Sequence, residues 1–364
     1  MLRIVFALIL IFHGLIHLMG FAKAYKYAEI SQLTGVYSRS AGTWWLLSAL
    51  LLLLSAGLFL LKKEIWWIPA LAGLLLSQAL IFSQWKDARF GTVANIIIVI
   101  GVVLAYGQWQ WNRMVSAETQ TFLPAALPAS SLLTREMIAG LPPVVQKWME
   151  RSGVIGRKMT RQVYLEQTGR MRTQPDGKWM PVTATQYFTI PQPGFLWTAD
   201  VEAAPSILLK GRDLYQNGQG HMLIKALALV PVADAKGPTT DQGSLLRYLA
   251  ETCWFPDAAL HAYIQWEPID AHSAKATLRY GQAEGSGIFT FDENGDIRSF
   301  EAMRYYGRKG GDTLEKWHID MDSASFKTFD GIRIPTRSSV TWKLADGDFT
   351  WFEIEVLKVM SYEL

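Results

Sequence analysis

A group of charged residues lies within an unusually apolar stretch of this sequence. Lys225 stands between Ile224 and Ala226, and Arg247 lies in a segment whose other face carries leucines. A charge in such surroundings must be paired, because desolvation without a partner costs several kcal/mol. The group comprises Arg212, Asp213, Lys225, Asp234, Asp241, Arg247 and Glu251.

Three kinds of chemistry fit these charges. The simplest is a structural ion network that fixes a helix to a sheet. The second is a polar anchor, which receives the headgroup of an amphipathic ligand at one end of an apolar cavity. The third is catalysis on a membrane-associated substrate, with acid, base and charge-stabilising roles shared by Asp213, Lys225, Arg247 and Glu251. The ligand-binding candidates are Arg212, Asp213, Lys225, Arg247, Glu251, Trp197 and Trp254.

Common catalytic and cofactor motifs are missing from the sequence. It has no Gly-x-Ser-x-Gly elbow, phosphate-binding loop, Gly-x-Gly-x-x-Gly turn, His-Glu-x-x-His pair or Cys-x-x-Cys pair. Residues 292–296 carry calcium-like oxygens, but their glycine is misplaced for a calcium loop, so they predict a hairpin tip. We therefore favour a non-enzymatic protein, with no catalytic residue, metal or cofactor predicted.

Composition narrows the class of protein further. Half of the 364 residues are hydrophobic, 18% are charged and the formal net charge is +3. These values exclude a disordered chain and a basic nucleic-acid-binding domain. The single cysteine, Cys253, cannot form an intrachain disulfide bond and is most simply a buried apolar group.

Four segments near the N-terminus are long and apolar enough to cross a bilayer. Each lacks Asp, Glu, Lys and Arg over about 20 residues, and tryptophans lie at the segment ends, as is typical of a membrane interface. The segments are 4–22, 42–61, 66–85 and 90–111. They predict a four-helix transmembrane domain over residues 1–113.

Basic residues that flank these segments predict an orientation. An even number of spans places the N-terminus and the C-terminal part on the same side of the membrane. Four flanking Lys or Arg residues lie on that side and five lie on the other. Because cytoplasmic loops carry the excess of basic residues, this distribution favours an extracytoplasmic C-terminal domain.

His13 and His17 are four residues apart and therefore share one face of the first predicted helix. Ionisable groups inside a membrane are candidates for function, including metal or haem binding. The other segments supply no second pair of His or Cys to complete such a site. We therefore favour structural pairing with a neighbouring helix and keep the functional alternative open.

The rest of the chain predicts a linker and a β-rich domain. Residues 116–131 are rich in Ala, Thr, Pro and Ser without periodicity, which indicates a linker at 114–136 before a soluble domain at 137–364. Alternation and β-branched or aromatic content predict the strands. They are 159–171, 181–190, 195–201, 213–216, 221–227, 262–266, 274–280, 287–291, 297–306, 313–319, 331–335, 338–344 and 349–359.

Closely spaced turn signals, such as Asp330-Gly331 and Asp346-Gly347, predict an antiparallel meander. Two helices accompany it, one at 142–153 and one at 242–252 with Asp241 as its N-cap. The predicted fold class is an α-helical four-span membrane unit followed by an α+β, mostly antiparallel β domain. In that domain one or two helices lie on the concave face of a curved half-barrel sheet.

An ordered string of motifs resembles an uncharacterised bacterial family defined by a domain of unknown function. The string covers about residues 140–360 and includes Gly211-Arg212-Asp213, Gly220 to Lys225, Val230 to Ala235 and Asp241 to Glu251, followed by Trp254-Phe255-Pro256. This resemblance implies a membrane-tethered or secreted bacterial protein and implies no activity. More loosely, the Asp-Gly-x-x-Ile-Pro strand ends are similar to the lipoprotein carriers LolA and LolB, and the first span is similar to DoxX-like membrane proteins.

These observations together predict a membrane-anchored protein of the bacterial plasma membrane. We expect its LolA-like half-barrel to bind a lipid, another apolar ligand or a lipid-bearing protein, and we expect no nucleic-acid partner. An enzyme acting on a membrane-associated substrate and a sensor or assembly module coupled to the helices are the alternatives. Oligomeric state stays open at this point.

Overall fold

The computed structural model describes residues 2–123, 131–308 and 310–362. It divides into two compact units, Met1–Met114 and Val115–Leu364. The predicted linker includes residues 124–130, which lie outside the described residues.

The first unit is helical. Its helices are α1 (Leu2–Ala24), α2 (Arg39–Leu60), α3 (Trp67–Ser83), the short α4 (Trp85–Ala88) and α5 (Gly91–Phe122), and a single 3-10 turn at Glu64–Trp66 precedes α3. Four helical segments are long and apolar enough to cross a membrane by length and composition: Leu2–Ala24, Arg39–Leu60, Glu64–Ser83 and Gly91–Phe122. These four segments coincide with the four that the sequence predicts.

Helix α5 extends well past the predicted end of its span. It continues to Phe122, so residues 114–122 are helical although the sequence analysis placed them in the linker. No Gly or Pro interrupts the chain between residues 108 and 123, and Pro124 is the first residue that cannot continue a helix. A short helix α6 (Arg135–Ile138) lies at the other end of the predicted linker.

The two histidines of α1 are buried and make polar contacts. His13 Nε2 lies 2.9 Å from Asn95 Oδ1 of α5 and 3.2 Å from Ser77 Oγ of α3. His17 Nδ1 donates a hydrogen bond of 2.8 Å to the carbonyl oxygen of His13. These contacts join three helices and therefore favour the structural interpretation of the pair.

The second unit is built on one large antiparallel sheet. Its strands are β1 (Gln162–Met171), β2 (Met180–Thr189), β3 (Gly194–Ala204), β4 (Ile207–Gln216), β5 (Gln219–Ala226), β6 (Val230–Lys236), β7 (Ile264–Pro268), β8 (Ser273–Tyr280), β9 (Ala283–Phe291), β10 (Ile297–Tyr306), β11 (Thr313–Met321), β14 (Arg337–Leu344) and β15 (Gly347–Tyr362). Two further strands, β12 (Phe326–Phe329) and β13 (Ile332–Pro335), form a separate hairpin.

The order of strands in the sheet explains its curl. The thirteen strands are arranged β6-β5-β4-β3-β2-β1-β15-β14-β11-β10-β9-β8-β7, so two meanders meet where β1 pairs with β15. Strands β6 and β7 form the two opposite edges, yet they are consecutive in the chain. The segment between them therefore connects one edge to the other across the concave face of a half-barrel, as the predicted fold class requires.

Helix α8 (Pro238–Glu251) and the 3-10 turns Thr252–Trp254 and Pro256–Leu260 make this connection. Helix α8 contacts β4, β5, β6, β8, β9 and β10. Its fully buried leucines, Leu245, Leu246 and Leu249, face the sheet at the spacing of one helical face. A second helix, α7 (Pro143–Ser152), packs Trp148 against Phe289 and Phe291 of β9.

One predicted detail of this unit is wrong, and two of its strands were not predicted. Helix α8 begins at Pro238, after Gly237, so Asp241 lies inside its first turn and is not the N-cap. Strand β6 lacks a sequence signal because it is an edge strand with a proline and exposed valines at Val230 and Val232. The short strand β12 was also not predicted, since it pairs only with β13.

Candidate functional site

An unfilled cavity of about 510 Å³ lies on the concave face of the sheet, beside the C-terminal half of α8. Its wall is mostly apolar and is formed by strands from both meanders and by the turn after α8. Apolar wall residues include Met171, Met180, Trp197, Met222, Trp254, Trp317, Trp342 and Phe352, and charged wall residues are Arg172, Arg212, Asp213, Arg247, Glu251 and Arg304. A volume of this size is within the range of small-molecule sites, about 300–1,000 Å³.

Strand register brings residues from distant parts of the sequence to this wall. Trp197 of β3 pairs with Asp213 of β4, which in turn pairs with Met222 of β5, so the three side chains share one face of the sheet. In the other meander, Trp317 of β11 pairs with Trp342 of β14. The cavity is therefore bounded on two sides by indole rings.

Arg247 is the centre of a buried ion network at one end of the cavity. Its Nη1 donates to Asp213 Oδ2 and its Nε to Glu251 Oε1, each at 2.8 Å. Its guanidinium carbon also lies 5.0 Å from the centre of the Trp197 ring. Burial disfavours the charged form of Arg247, but the carboxylates of Glu251 and Asp213 outweigh it and raise the pKa above its ordinary value.

A chain of buried amides extends this network into the sheet. Gln186 of β2 donates to Glu251 Oε2 at 2.8 Å, and Gln167 of β1 accepts a hydrogen bond of 3.1 Å from the Trp197 indole. Sequence analysis did not single out either glutamine. A signal was present, because each occupies an inward-facing position between apolar residues of its strand.

Arg212 lies on the opposite face of β4 from Asp213, as alternation along a strand requires. It contributes to the cavity wall, but its Nη1 donates to the carbonyl oxygen of His221 at 2.6 Å and its Nε lies 3.1 Å from Glu118 Oε2. His221 Nε2 lies 2.7 Å from Asp234 Oδ1. Arg212 and Asp234 thus belong to a second, separate polar cluster.

The remaining charged residues of the predicted group lie elsewhere. Lys225 does not line the cavity, because its neighbours Met222 and Ile224 take the inward positions of β5. Asp241 Oδ1 accepts a hydrogen bond of 2.7 Å from the Gly220 backbone and so ties α8 to β5. Of the four groups in the catalytic alternative, Asp213, Arg247 and Glu251 converge and Lys225 does not join them.

Two tryptophans of the predicted set and the cysteine do line the cavity. Trp254 donates from its indole to the Pro335 carbonyl oxygen at 3.1 Å, which holds its ring in place. Trp197 is held through Gln167, as described above. Burial raises the pKa of the Cys253 thiol well above its ordinary value, so it stays protonated and unreactive.

Arg304 is a cavity residue that sequence analysis missed. It lies on β10, with its guanidinium carbon 4.6 Å from the centre of the Trp317 ring. Burial lowers its pKa to about 10, so it is a cation at neutral pH. The available signal was its place in the inward-facing series Phe300, Ala302, Arg304, where a charge interrupts apolar residues.

Comparison with models of protein families identifies the family of this chain. Residues 131–354 match the model of a family of unknown function, DUF6544. The chain belongs to this family. The match covers most of the second unit and agrees with the family resemblance read from the motifs, and no curated protein matches the sequence.

Solved structures of similar architecture share little sequence with this chain. One is a candidate outer membrane lipoprotein-sorting protein domain from Vibrio parahaemolyticus, at 8% identity and a TM-score of 0.32, covering 60% of this chain and 90% of that one. Another is a DUF1329 family protein from Desulfovibrio piger, at 10% identity and a TM-score of 0.29, covering 64% and 94%. A third is a β-barrel-like DUF1849 protein from Brucella abortus, at 8% identity and a TM-score of 0.23. The match covers 56% of this chain and 98% of that one.

Proposed function

We propose that this protein is anchored in the bacterial plasma membrane by its four apolar helices and binds the apolar part of a lipid, or of a lipid-bearing protein, in the cavity of its half-barrel. The observation that carries the proposal is the unfilled cavity itself, with its wall of methionine and aromatic side chains. Covering the apolar part of this wall removes it from water, which is favourable. An acyl chain that enters it gains about 0.8 kcal/mol for each methylene buried.

Photo-crosslinking in a membrane tests this proposal. Full-length protein in phosphatidylcholine nanodiscs is exposed to hexadecanoic acid that carries a diazirine on its chain, and the crosslinked peptides are identified by mass spectrometry. We expect adducts on peptides that contain Met171, Met222 or Met321, which line the cavity. Adducts on α1, α2, α3 and α5 report contact with the bilayer and are the internal reference.

Two matched substitutions locate the label. Met222→Trp places a larger side chain in the cavity wall, whereas Met303→Trp makes the same change on β10, outside the wall and at an exposed position. We expect Met222→Trp to reduce cavity adducts several-fold and Met303→Trp to leave them unchanged. Adducts confined to the four helices in the unsubstituted protein would rule out the cavity as a binding site.

The side of the membrane on which the second unit lies is a separate part of the proposal. The basic residues that flank the spans favour an extracytoplasmic position. Alkaline phosphatase fused after residue 364 folds only outside the cytoplasm, so we expect the fusion to be active. The domain would lie on the cytoplasmic side if the phosphatase fusion were inactive and if a fluorescent protein that folds only in the cytoplasm, fused at the same position, were fluorescent.

A further inference from the structure

Arg304 is a cavity cation whose polar atoms have no hydrogen-bond or ion-pair partner among the residues that the structure describes. Among the residues that the structure describes, no carboxylate lies within 4.0 Å of its guanidinium and no acceptor receives a hydrogen bond from it. Glu315 is directly opposite on β11 but binds Arg308, with 3.1 Å between Oε1 and Nη2. The side chain is half-buried in the cavity wall, and a guanidinium carries five N–H donors that are free to bind an acceptor there.

The surroundings of Arg304 hold the cation in position without pairing it. Its guanidinium carbon lies 4.6 Å from the Trp317 ring centre and 6.0 Å from that of Trp342. On the side of α8, residue 243 is glycine, and a Cβ there would lie 3.1 Å from Arg304 Nε. The two indole rings attract the charge through their faces but accept no hydrogen bond from the guanidinium edge.

Arg247 provides the contrast within the same cavity. It binds two carboxylates, Asp213 and Glu251, at hydrogen-bond distance. The same two carboxylates act on Arg304 only at longer range, since both are engaged by Arg247. The ion network therefore supplies Arg247 with counter-charges and leaves Arg304 without one of its own.

The balance of charge around the cavity favours an anion. Four arginines and two carboxylates line it, which gives the wall a formal charge of +2. Counting Glu118, the partner of Arg212, still leaves +1. Arg172 is the other arginine without a carboxylate partner among the described residues, but its Nε donates to the Thr350 carbonyl oxygen at 2.7 Å and it also donates to that of Pro175.

We propose that Arg304 binds the anionic group, a carboxylate or a phosphate, of an amphipathic ligand whose apolar part lies along the methionine and aromatic wall. This inference rests on the proposed function and adds the polar half of the ligand to it. Bidentate or charge-assisted hydrogen bonds from the guanidinium match either oxyanion. The ligand class is thus a single- or double-chain anionic amphiphile rather than a neutral one.

A pair of probes tests the charge requirement. Full-length protein in phosphatidylcholine nanodiscs is labelled with the diazirine-bearing hexadecanoic acid or with the corresponding alcohol, at limiting probe and slightly alkaline pH. We expect the acid to label cavity peptides about tenfold more efficiently than the alcohol, after normalisation to the adducts on the apolar helices. Equal labelling by the two probes overturns the role of Arg304 while leaving the proposed function intact.

Substitutions assign the preference to a residue. Arg304→Gln should abolish the preference for the acid over the alcohol, and Arg304→Lys, which keeps the charge, should retain part of it. Arg172→Gln removes another cavity guanidinium and should keep the preference. A preference that survives Arg304→Gln, or that Arg172→Gln removes, overturns the assignment. A cooperative thermal unfolding transition shows that a variant is folded. If Arg304→Gln is not folded, Arg304→Lys is the variant whose preference is compared with that of the unsubstituted protein.

Two further outcomes separate the possible sources of failure. Millimolar inorganic phosphate should leave the acid labelling unchanged, because it lacks the apolar part. Complete loss of acid labelling in the presence of phosphate would identify a free anion as the ligand and would overturn the proposal of an amphipathic ligand. If neither probe labels cavity peptides while both label the apolar helices, the proposed function itself fails, and the role of Arg304 fails with it.

Discussion

The concave face of the sheet has two parts that differ in how they are filled. One part is packed with large side chains that are fully buried, including Phe188, Phe195, Tyr215, Tyr248, Phe255, Phe289 and Phe300. None of these lines the cavity, which occupies the other part. The connection between the two edge strands crosses the curved sheet once, so it covers only one part of the concave face.

The two arginines Arg247 and Arg304 of the cavity wall also differ, in how their charges are satisfied. Arg247 belongs to α8, the element that fills the concave face, and its charge is satisfied by protein carboxylates. Arg304 reaches the face from β10, and no carboxylate of the described residues pairs with it. The position of α8 therefore decides which of these two cations has a carboxylate partner among the described residues.

The largest effect should come from removing a ring in the packed part. Phe289 contacts Trp148, Trp266 and Phe300, so Phe289→Ala should lower the free energy of unfolding by about 3–5 kcal/mol. Met171→Ala, in the cavity wall, should cost less, because it enlarges a space that is already open. Urea unfolding of the full-length protein in detergent, followed by the strand signal in circular dichroism, measures both. Equal losses would show that the cavity wall is as tightly packed as the other part.

The two arginines should respond in opposite ways to the same substitution. Arg247→Met leaves Asp213 and Glu251 without their counter-charge and should cost about 3 kcal/mol of stability. Arg304→Met removes a cation that has no carboxylate partner in the described protein, so its free energy of unfolding should stay the same or increase. The same unfolding assay checks both variants. A comparable loss for Arg304→Met would mean that protein contacts, and not a ligand, account for its position.

Two glycines, Gly211 of β4 and Gly220 of β5, should show the smallest and most local difference. A Cβ at Gly220 would lie 2.7 Å from the Thr240 carbonyl oxygen and 2.5 Å from Ser244 Oγ, so Gly220→Ala should cost about 1–3 kcal/mol. At Gly211, in the cavity wall, the nearest atom would be 3.4 Å away, and Gly211→Ala should have little effect. Thermal unfolding distinguishes the two. If Gly220→Ala is tolerated, α8 does not press on β5 as closely as the contacts indicate.

Much of the fold could be predicted because it depends on local patterns. The apolar segments between flanking charges predict the four long helices, and alternation predicts most strands of the sheet. Strand β6 was missed because its exposed valines and Pro231 do not alternate, as befits an edge strand with little buried surface. The start of α8 was misplaced because the Gly237-Pro238 signal was passed over in favour of Asp241.

The candidate site could be predicted only in part. Asp213, Arg247 and Glu251 were singled out from their apolar surroundings and Trp197 and Trp254 as large aromatic residues, and all five line the cavity. Lys225 was included because it also has apolar neighbours, but its position in the alternation of β5 directs its side chain away from the cavity. Arg304 was missed because it lies more than 50 residues from Arg247 in the sequence, and only the pairing of β10 and β11 and the position of α8 bring the two to one cavity.

The sequence by itself determined the elements of this protein: apolar helices long enough for a membrane, an antiparallel meander and a set of charges that needed partners. These properties follow from composition and periodicity within single segments. Only the tertiary structure decided which charges found partners and which part of the concave face stayed open. That outcome depends on strand order and on where a single crossing helix lies, and both are set by contacts between residues far apart in the chain.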